Sequence, residues 1–385
     1  MMDLLDLLDP VSLDKPEIPL ISGANTFVQN IAVHTPDFKL GDLSAFDIAI
    51  VGIPEDRNSQ NKGASLAPDK IRAQLYQLIK IDEKVKIIDL GNLKQGNTFN
   101  DTYSAVKEIC RTLLSANLVT ILIGGTQELT IPVFQTYEKL KSNVNLTSID
   151  RTIDLMEDSI NSSSETYLSE IIFKKRSLFK FCSLGYQLHL TDPGNINLIN
   201  KLYYDACRLG EIRSGISMTE PVLRDTDIVS FDISSVRQSE APGFVNPSPN
   251  GFYSEEACQL SRYSGLSEKA SVFGLFEVNP KYDLNAQTIN LAAQIIWYFL
   301  DGYSCRKMEF PASENKNFKT FIVGHSDLDY EITFYKSTIS ERWWMEVPNP
   351  KNNQSVIISC SYADYQKACE QEVPDIWWKS FQKLS

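Results

Sequence analysis

Histidine is scarce in this chain. There are three in 385 residues, His34, His189 and His325, and none lies beside the glycine- and aspartate-bearing segments described below. A site that makes hydroxide at neutral pH ordinarily holds two close metals, or one with a nitrogen ligand. The three histidines are therefore read as packing or surface residues, with His34 and His189 kept as candidates for approach to a cleft after folding. Cysteine pairing is missing too. The seven cysteines are odd in number and far apart, and no CxxC occurs, so a reduced compartment is expected and the thiols act as small apolar packers. No apolar run approaches the ~18 residues of a membrane span. Residues 1–19 have no basic region and do not read as a signal peptide. Bases are outnumbered: 37 Lys and Arg face 49 Asp and Glu, for a net charge of -12. That field repels phosphate backbones and anionic lipid, which argues against nucleic-acid and membrane partners. A cytoplasmic location is expected.

What is present is an ordinary globular composition, 43% hydrophobic and 22% charged, enough for a large α/β unit. Apolar runs at 46–51, 85–90, 119–123, 144–149, 178 onward, 228–231 and 271 onward read as buried strands. Helices are expected between them at 67–79, 100–115, 195–209, 254–265 and 285–300. This alternation predicts a three-layer α/β/α fold with a mostly parallel sheet. Residues 1–27 read as an N-terminal arm, with Leu5, Leu8 and Leu13 able to dock it and Pro16 ending it. Residues 28–310 form the main unit. From about 311 to 385 the pattern shifts to alternating antiparallel strands and two short helices, a small α+β appendage. It carries Trp343, Trp344, Trp377 and Trp378. One member of each pair is expected to be buried and the other to lie in a partner-binding patch. The alternative is that the tail packs on the body and on itself.

Three segments carry the chemistry: Gly124-Gly125-Thr126-Gln127, Asp150-Arg151-Thr152-Ile153-Asp154 and Ser230-Phe231-Asp232-Ile233-Ser234. Each ends a predicted strand, so Asp150, Asp154 and Asp232 gather at one sheet edge. Close carboxylates need a compensating cation. It is either a metal or an arginine, Arg237 or Arg151. Carboxylates that merely cap backbone N–H groups are the third reading. No Lys-Ser/Thr follows Gly124-Gly125, so that turn is no phosphate loop.

Together these motifs resemble the arginase/agmatinase/formimidoylglutamase group, the ureohydrolases. Supporting segments are Val51-Gly52-Ile53-Pro54, Gly63-Ala64-Ser65-Leu66-Ala67-Pro68 with Ile71-Arg72, Asp89-Leu90-Gly91-Asn92, Ala241-Pro242-Gly243 and Gly274-Leu275-Phe276-Glu277-Val278-Asn279-Pro280. The resemblance implies two Mn²⁺ ions bridged by hydroxide. It also implies a guanidinium or amidine contact at Glu277, which otherwise reads as a structural strand-end glutamate. Asp150, Asp154 and Asp232 match the family's ligands. Gln127 and Thr152 stand where it has histidines, and Ser234 where it has an aspartate. Arg237 falls where another aspartate is usual.

On these substitutions the chain is expected to be a pseudoenzyme, a ureohydrolase-fold interaction or scaffolding subunit with a protein partner or as a homo-oligomer. No cofactor is expected beyond, at most, one divalent ion (Mn²⁺, Mg²⁺ or Ca²⁺) on Asp150, Asp154 and Asp232, with Gln127 adding an amide oxygen. Two alternatives stand beside it: a single-metal C–N hydrolase of a linear amidine such as formimidoylglutamate, and a sensor binding a guanidinium or amine through Glu277 without turnover.

Overall fold

The computed structural model describes residues 4–11, 25–141, 143–156, 163–174, 177–311, 316–325, 331–351 and 354–385. Ten strands form the main sheet: β1 (Leu8–Asp9), β2 (Ala32–Val33), β3 (Ile48–Gly52), β4 (Ile87–Leu93), β5 (Val119–Ile123), β6 (Val144–Ile149), β7 (Leu178–Tyr186), β8 (Asp205–Arg208), β9 (Ile228–Asp232) and β10 (Val272–Phe276). Their order is β1-β4-β3-β5-β10-β9-β6-β7-β8, with β2 also on β4. Every pairing is parallel except β1 on β4.

The period of two along each strand builds the layers. In β3, Ile48 and Ile50 face one core while Ala49 and Val51 face the other. Helices α1 (Ala67–Leu75), α8 (Ser254–Leu266) and α9 (Gln287–Ser304) cover the first face; α2 (Phe99–Ser115), α3 (Thr130–Tyr137) and α4 (Tyr167–Lys174) cover the second. The three-layer, mostly parallel fold expected from the sequence is the one observed. Between α4 and α8 lie α5 (Pro193–Lys201), α6 (Leu209–Ser214) and α7 (Glu220–Arg224). The helix expected over 195–209 is shorter. Tyr203, with φ 57, turns the chain left-handed, and β8 then pairs with the edge of β7. Among the described residues no helix is long and apolar enough to cross a membrane, and all seven cysteines are free.

The N-terminal segment is less loose than an arm. Leu8 pairs with Leu93, and Leu4 and Leu8 are buried in the second core; Leu13 and Pro16 lie outside the described residues. The C-terminal segment forms an antiparallel sheet of β11 (Phe318–Gly324), β12 (Glu331–Ser337), β13 (Trp343–Asn349) and β14 (Gln354–Cys360), backed by α10 (Tyr362–Cys369) and α11 (Asp375–Leu384). β13 is central and covered on both faces, which corrects the expectation for its tryptophan pair. Trp343 stacks on Tyr365 inside the small core, while Trp344, 3% exposed, lies under the Arg224 guanidinium of the main body at 4.3 Å. Trp377 and Trp378 do split. Trp377 is fully buried and donates to the Glu346 carbonyl at 2.9 Å, and Trp378 is 45% exposed.

This segment docks against the ends where strands begin. Arg224, just before β9, donates to the carbonyls of Trp343 (3.1 Å) and Cys360 (3.0 Å). Arg342 pairs with Glu220 at 3.2 Å and Lys379 with Asp205 at 2.6 Å. Beneath lies Asp225, fully buried. Burial pushes its carboxyl up, but Lys180 (2.6 Å) and Lys269 outweigh that and hold it at about 2.

A folded-state pKa below the ordinary 3.8 stabilises above that value and is lost as pH falls toward 2. Asp225→Asn is therefore expected to cost on the order of 2 kcal/mol at pH 7. Denaturant melts of both proteins should show the difference constant from pH 5 to 7 and shrinking below pH 4. A difference unchanged down to pH 2 would contradict the ion-pair assignment.

Candidate active site

Four neighbouring strands, β5, β10, β9 and β6, deliver the motif residues at their C-terminal ends, where loops of a parallel sheet converge. Gln127 follows β5, Glu277 follows β10, Asp232 ends β9 and Asp150 follows β6. The turn at Gly124-Gly125 has a steric cause. A Cβ on Gly125 would lie 1.7 Å from the Glu55 carbonyl oxygen, so only glycine lets the two loops meet.

Glu277 sits at φ 67, a conformation that costs a non-glycine residue of order 1 kcal/mol or more. Asn61 holds it there, donating to its carbonyl at 2.8 Å and its carboxylate at 2.9 Å. The Gln127 backbone N–H donates to the other carboxylate oxygen at 2.9 Å. Asn279 in turn donates to the Asn61 amide oxygen at 2.8 Å. Asn61 went unnoticed in the sequence. It lies in the loop just before Gly63 with no motif of its own, and its partner is 216 positions away.

The three aspartates are brought together, Asp150 and Asp232 buried and Asp154 half-buried in the cleft wall. Burial, reinforced by the Asp154 charge, raises Asp150 well above the carboxylate range. Burial raises Asp154 to about 7. Burial and Asp150 raise Asp232 to about 8. Glu277 is raised by burial and then by Asp232 and Glu128. Glu128, next to Gln127 and passed over in the sequence, is itself lifted to about 7 by burial. These acids form one interior electrostatic system in which ionising one group opposes ionising the next.

The replaced positions are tied to protein groups. The Gln127 amide N–H₂ points between β6 and β9, donating to the hydroxyls of Ser148 (3.3 Å) and Ser230 (3.2 Å). Thr152 donates its hydroxyl to Asp154 at 2.8 Å and its backbone N–H to Asp150 at 3.1 Å. The Ser234 N–H donates to Asp232 at 2.6 Å. Backbone capping of the aspartates, one of the three sequence readings, is thus present.

The arginine reading is corrected. Arg237 lies over the Tyr253 ring at 4.4 Å and makes no ion pair among the described residues. Tyr253 presents an apolar face that a partly buried guanidinium can rest on, and the chain turns Arg237 toward it. Arg151 lies over Phe244 at 4.9 Å and donates to the Asn246 carbonyl at 2.7 Å. Its charge favours ionised Asp150 and Asp232 only as a minor influence. His34 bonds the Leu90 carbonyl at 2.9 Å, His325 the Gln371 carbonyl at 2.6 Å, and His189 is exposed. None of them lines the cleft among the described residues.

Above the acids opens a cleft of about 670 Å³, with Asp154, Asp232 and Glu277 in its wall together with Thr152 and Ser234. Among the described residues, no group of three His, Cys, Asp or Glu side chains is already arranged around a metal position. The donor chemistry of Asp150, Asp154 and Asp232 nevertheless fits one hard divalent ion. Buried mutually repelling carboxyls are relieved by such a charge, and oxygen-only ligation suits it. It does not fit a pair, because hydroxyls at Thr152 and Ser234 are poor substitutes for imidazole and carboxylate.

Comparison with known proteins places this geometry. The formimidoylglutamase of Staphylococcus haemolyticus is 25% identical over 271 residues, covering 66% of this chain and 85% of that protein. The human mitochondrial guanidino acid hydrolase is 24% identical over 284 residues, covering 66% and 77%. The formiminoglutamase of Trypanosoma cruzi, solved with Mn²⁺, superposes with a TM-score of 0.64 at 19% identity, covering 70% of this chain and 97% of that one. That manganese-bearing neighbour overturns the expectation of no cofactor. Thr152 and Ser234 remove an imidazole and a carboxylate from the family's ligand set, but Asp150, Asp154 and Asp232 are present. The pattern of the Arginase family matches residues 46–301, and the chain belongs to that family.

Proposed function

We propose that this protein is a divergent ureohydrolase that cleaves a C–N bond of a small linear amidine or guanidine, using one manganese ion held by Asp150, Asp154 and Asp232. One observation carries the reading. Buried Asp150 and Asp232 and half-buried Asp154, from two neighbouring strand ends, meet buried Glu277 beneath an open cleft. An interior that burial alone would keep protonated is suited to accept positive charge, from an ion and from a cationic substrate. The relatives' names, a formimidoylglutamase and a guanidino acid hydrolase, support the same bond class.

The ion, when bound, would supply Lewis acidity and favour the ionised form of water at neutral pH. The chain's own residues supply the rest. Glu277, fixed by Asn61 and the Gln127 N–H, would accept hydrogen bonds from an amidinium in the cleft it shares with Asp232. Thr152 and Ser234 line the same wall; the Thr152 hydroxyl, which donates to Asp154, can accept from the amidine, and the Ser234 hydroxyl can donate to the leaving nitrogen. Ile153, Leu155 and Phe244 add apolar surface to the cleft wall.

A second reading, binding without turnover, is favoured by one specific feature. Thr152 and Ser234 lack the basicity of the groups they replace. The two readings separate experimentally.

Manganese at one hundred times its Kd contributes about 2.7 kcal/mol, so the melting temperature is expected to rise by roughly 3–5 °C, with about one ion per chain by elemental analysis. Asp232→Asn should abolish that rise. An apoprotein indifferent to manganese would refute the metal site.

With manganese, turnover of formimidoylglutamate or 4-guanidinobutyrate is expected above background and at least a hundredfold lower in Asp232→Asn, followed by product release. Amidine-dependent stabilisation with background turnover in the wild type would instead establish the binding-only reading.

A further inference from the structure

The cleft holds one cation among acids, a feature that the hydrolase reading does not use. Asp154, Asp232 and Glu277 line it with Asp150 beneath, and Glu165 and Asp192 also lie in its wall. Arg151 is the one cation among the described residues that line it. This arginine is held from two sides. Its guanidinium rests on the Phe244 ring at 4.9 Å, and one N–H₂ group donates to the Asn246 carbonyl at 2.7 Å. Its backbone carbonyl accepts from Gln187 N–H at 2.8 Å. The side chain therefore crosses from the loop after β6 to the loop that carries Phe244 and Asn246. It is pre-organised, with little rotamer freedom left to lose on binding.

A guanidinium has five N–H donors in a planar fork. The bond to Asn246 uses one nitrogen, and among the described residues no acidic side chain pairs with Arg151. The rest of the fork is left for an acceptor in the cleft. Arginine in this state suits a carboxylate, which it can bind through two parallel hydrogen bonds. An amine at the same place would be repelled.

We propose that Arg151 is a specificity-determining residue that binds the carboxylate end of an ω-amidino or ω-guanidino acid, while the amidine end lies on Glu277 and the aspartates. The assignment rests on the hydrolase-cleft reading and adds to it the residue that selects the acid tail. Amino-terminated amidines and amidines with neutral tails are disfavoured, because only a ligand with opposite charges at its two ends matches both walls. Phe244 and Asn246 are positioning residues, since they act by holding the guanidinium.

The test compares two ligands of similar length and opposite tail charge, 4-guanidinobutyrate and agmatine, by calorimetry on the manganese-loaded full chain. Wild type is expected to bind 4-guanidinobutyrate at least tenfold more tightly than agmatine, the loss of a charge-assisted hydrogen bond being of that size. In Arg151→Met the ratio of the two Kd values should fall at least tenfold, and Arg151→Lys should restore part of it. A purely structural role would weaken both ligands alike and leave the ratio unchanged, and that result overturns the assignment while sparing the hydrolase reading. If wild type binds neither ligand, both fall together. If Arg151→Met does not fold, the same ratio measured in Phe244→Leu, which loosens the guanidinium, and in wild type at rising salt decides the matter: a falling ratio supports the assignment and a constant one overturns it.

Discussion

The structure depends on the parallel alignment of β5, β10, β9 and β6. Because all four run the same way, each ends at the same edge, and Gln127, Glu277, Asp232 and Asp150 arrive there from positions up to 150 residues apart. The layers on either side are apolar, so the acids at that edge are deprived of water. Their raised pKa values follow from this placement. An unpaired buried carboxylate is expensive, and the fold meets that cost with protons, backbone N–H groups and the Asn61 amide. A cation entering the cleft competes with those protons.

The opposite edge solves a different problem. There the acids Glu220 and Asp225 are matched by arginine and lysine from both the body and the C-terminal sheet. Lysines hold Asp225 at one edge of the sheet, whereas backbone N–H groups and the Asn61 amide hold Asp232 and Glu277 at the other.

Much of this was legible beforehand. Seven strands of the main sheet, its parallel sense and the four tail strands follow from apolar runs and their period, since burial on two faces leaves a continuous hydrophobic signature; the short β1, β2 and β8 carry no such run. The convergence of Asp150, Asp154 and Asp232 was also legible, because each follows such a run. What was not legible depended on direction. Arg237 is two residues beyond the η-turn that Asp232 caps, close in sequence to the acids, but its side chain turns to Tyr253. One of Trp343 and Trp344 was expected at a surface because alternation puts them on opposite faces, and nothing in the local pattern shows that Arg224 covers the Trp344 face. Asn61 had no signal at all, since its role is defined by Glu277. Helix α5 ended early at Tyr203, where a left-handed residue without glycine carries no sequence mark.

The position of Arg224 has a consequence for how the chain can be cut and joined. Its guanidinium is 5% exposed and is satisfied from the tail: two carbonyls, one indole face and, through Glu220, Arg342. Removing everything after the match to the family at residue 301 would leave that charge beside Asp225 with its carbonyl acceptors gone, at the base of the strand that ends in Asp232. The tail is thus a lid on the wrong side of the molecule for chemistry and the right side for cohesion. A shortened version resembling the length of its relatives would be an incomplete object, and grafts or fusions that treat residue 310 as a seam would open the interior there.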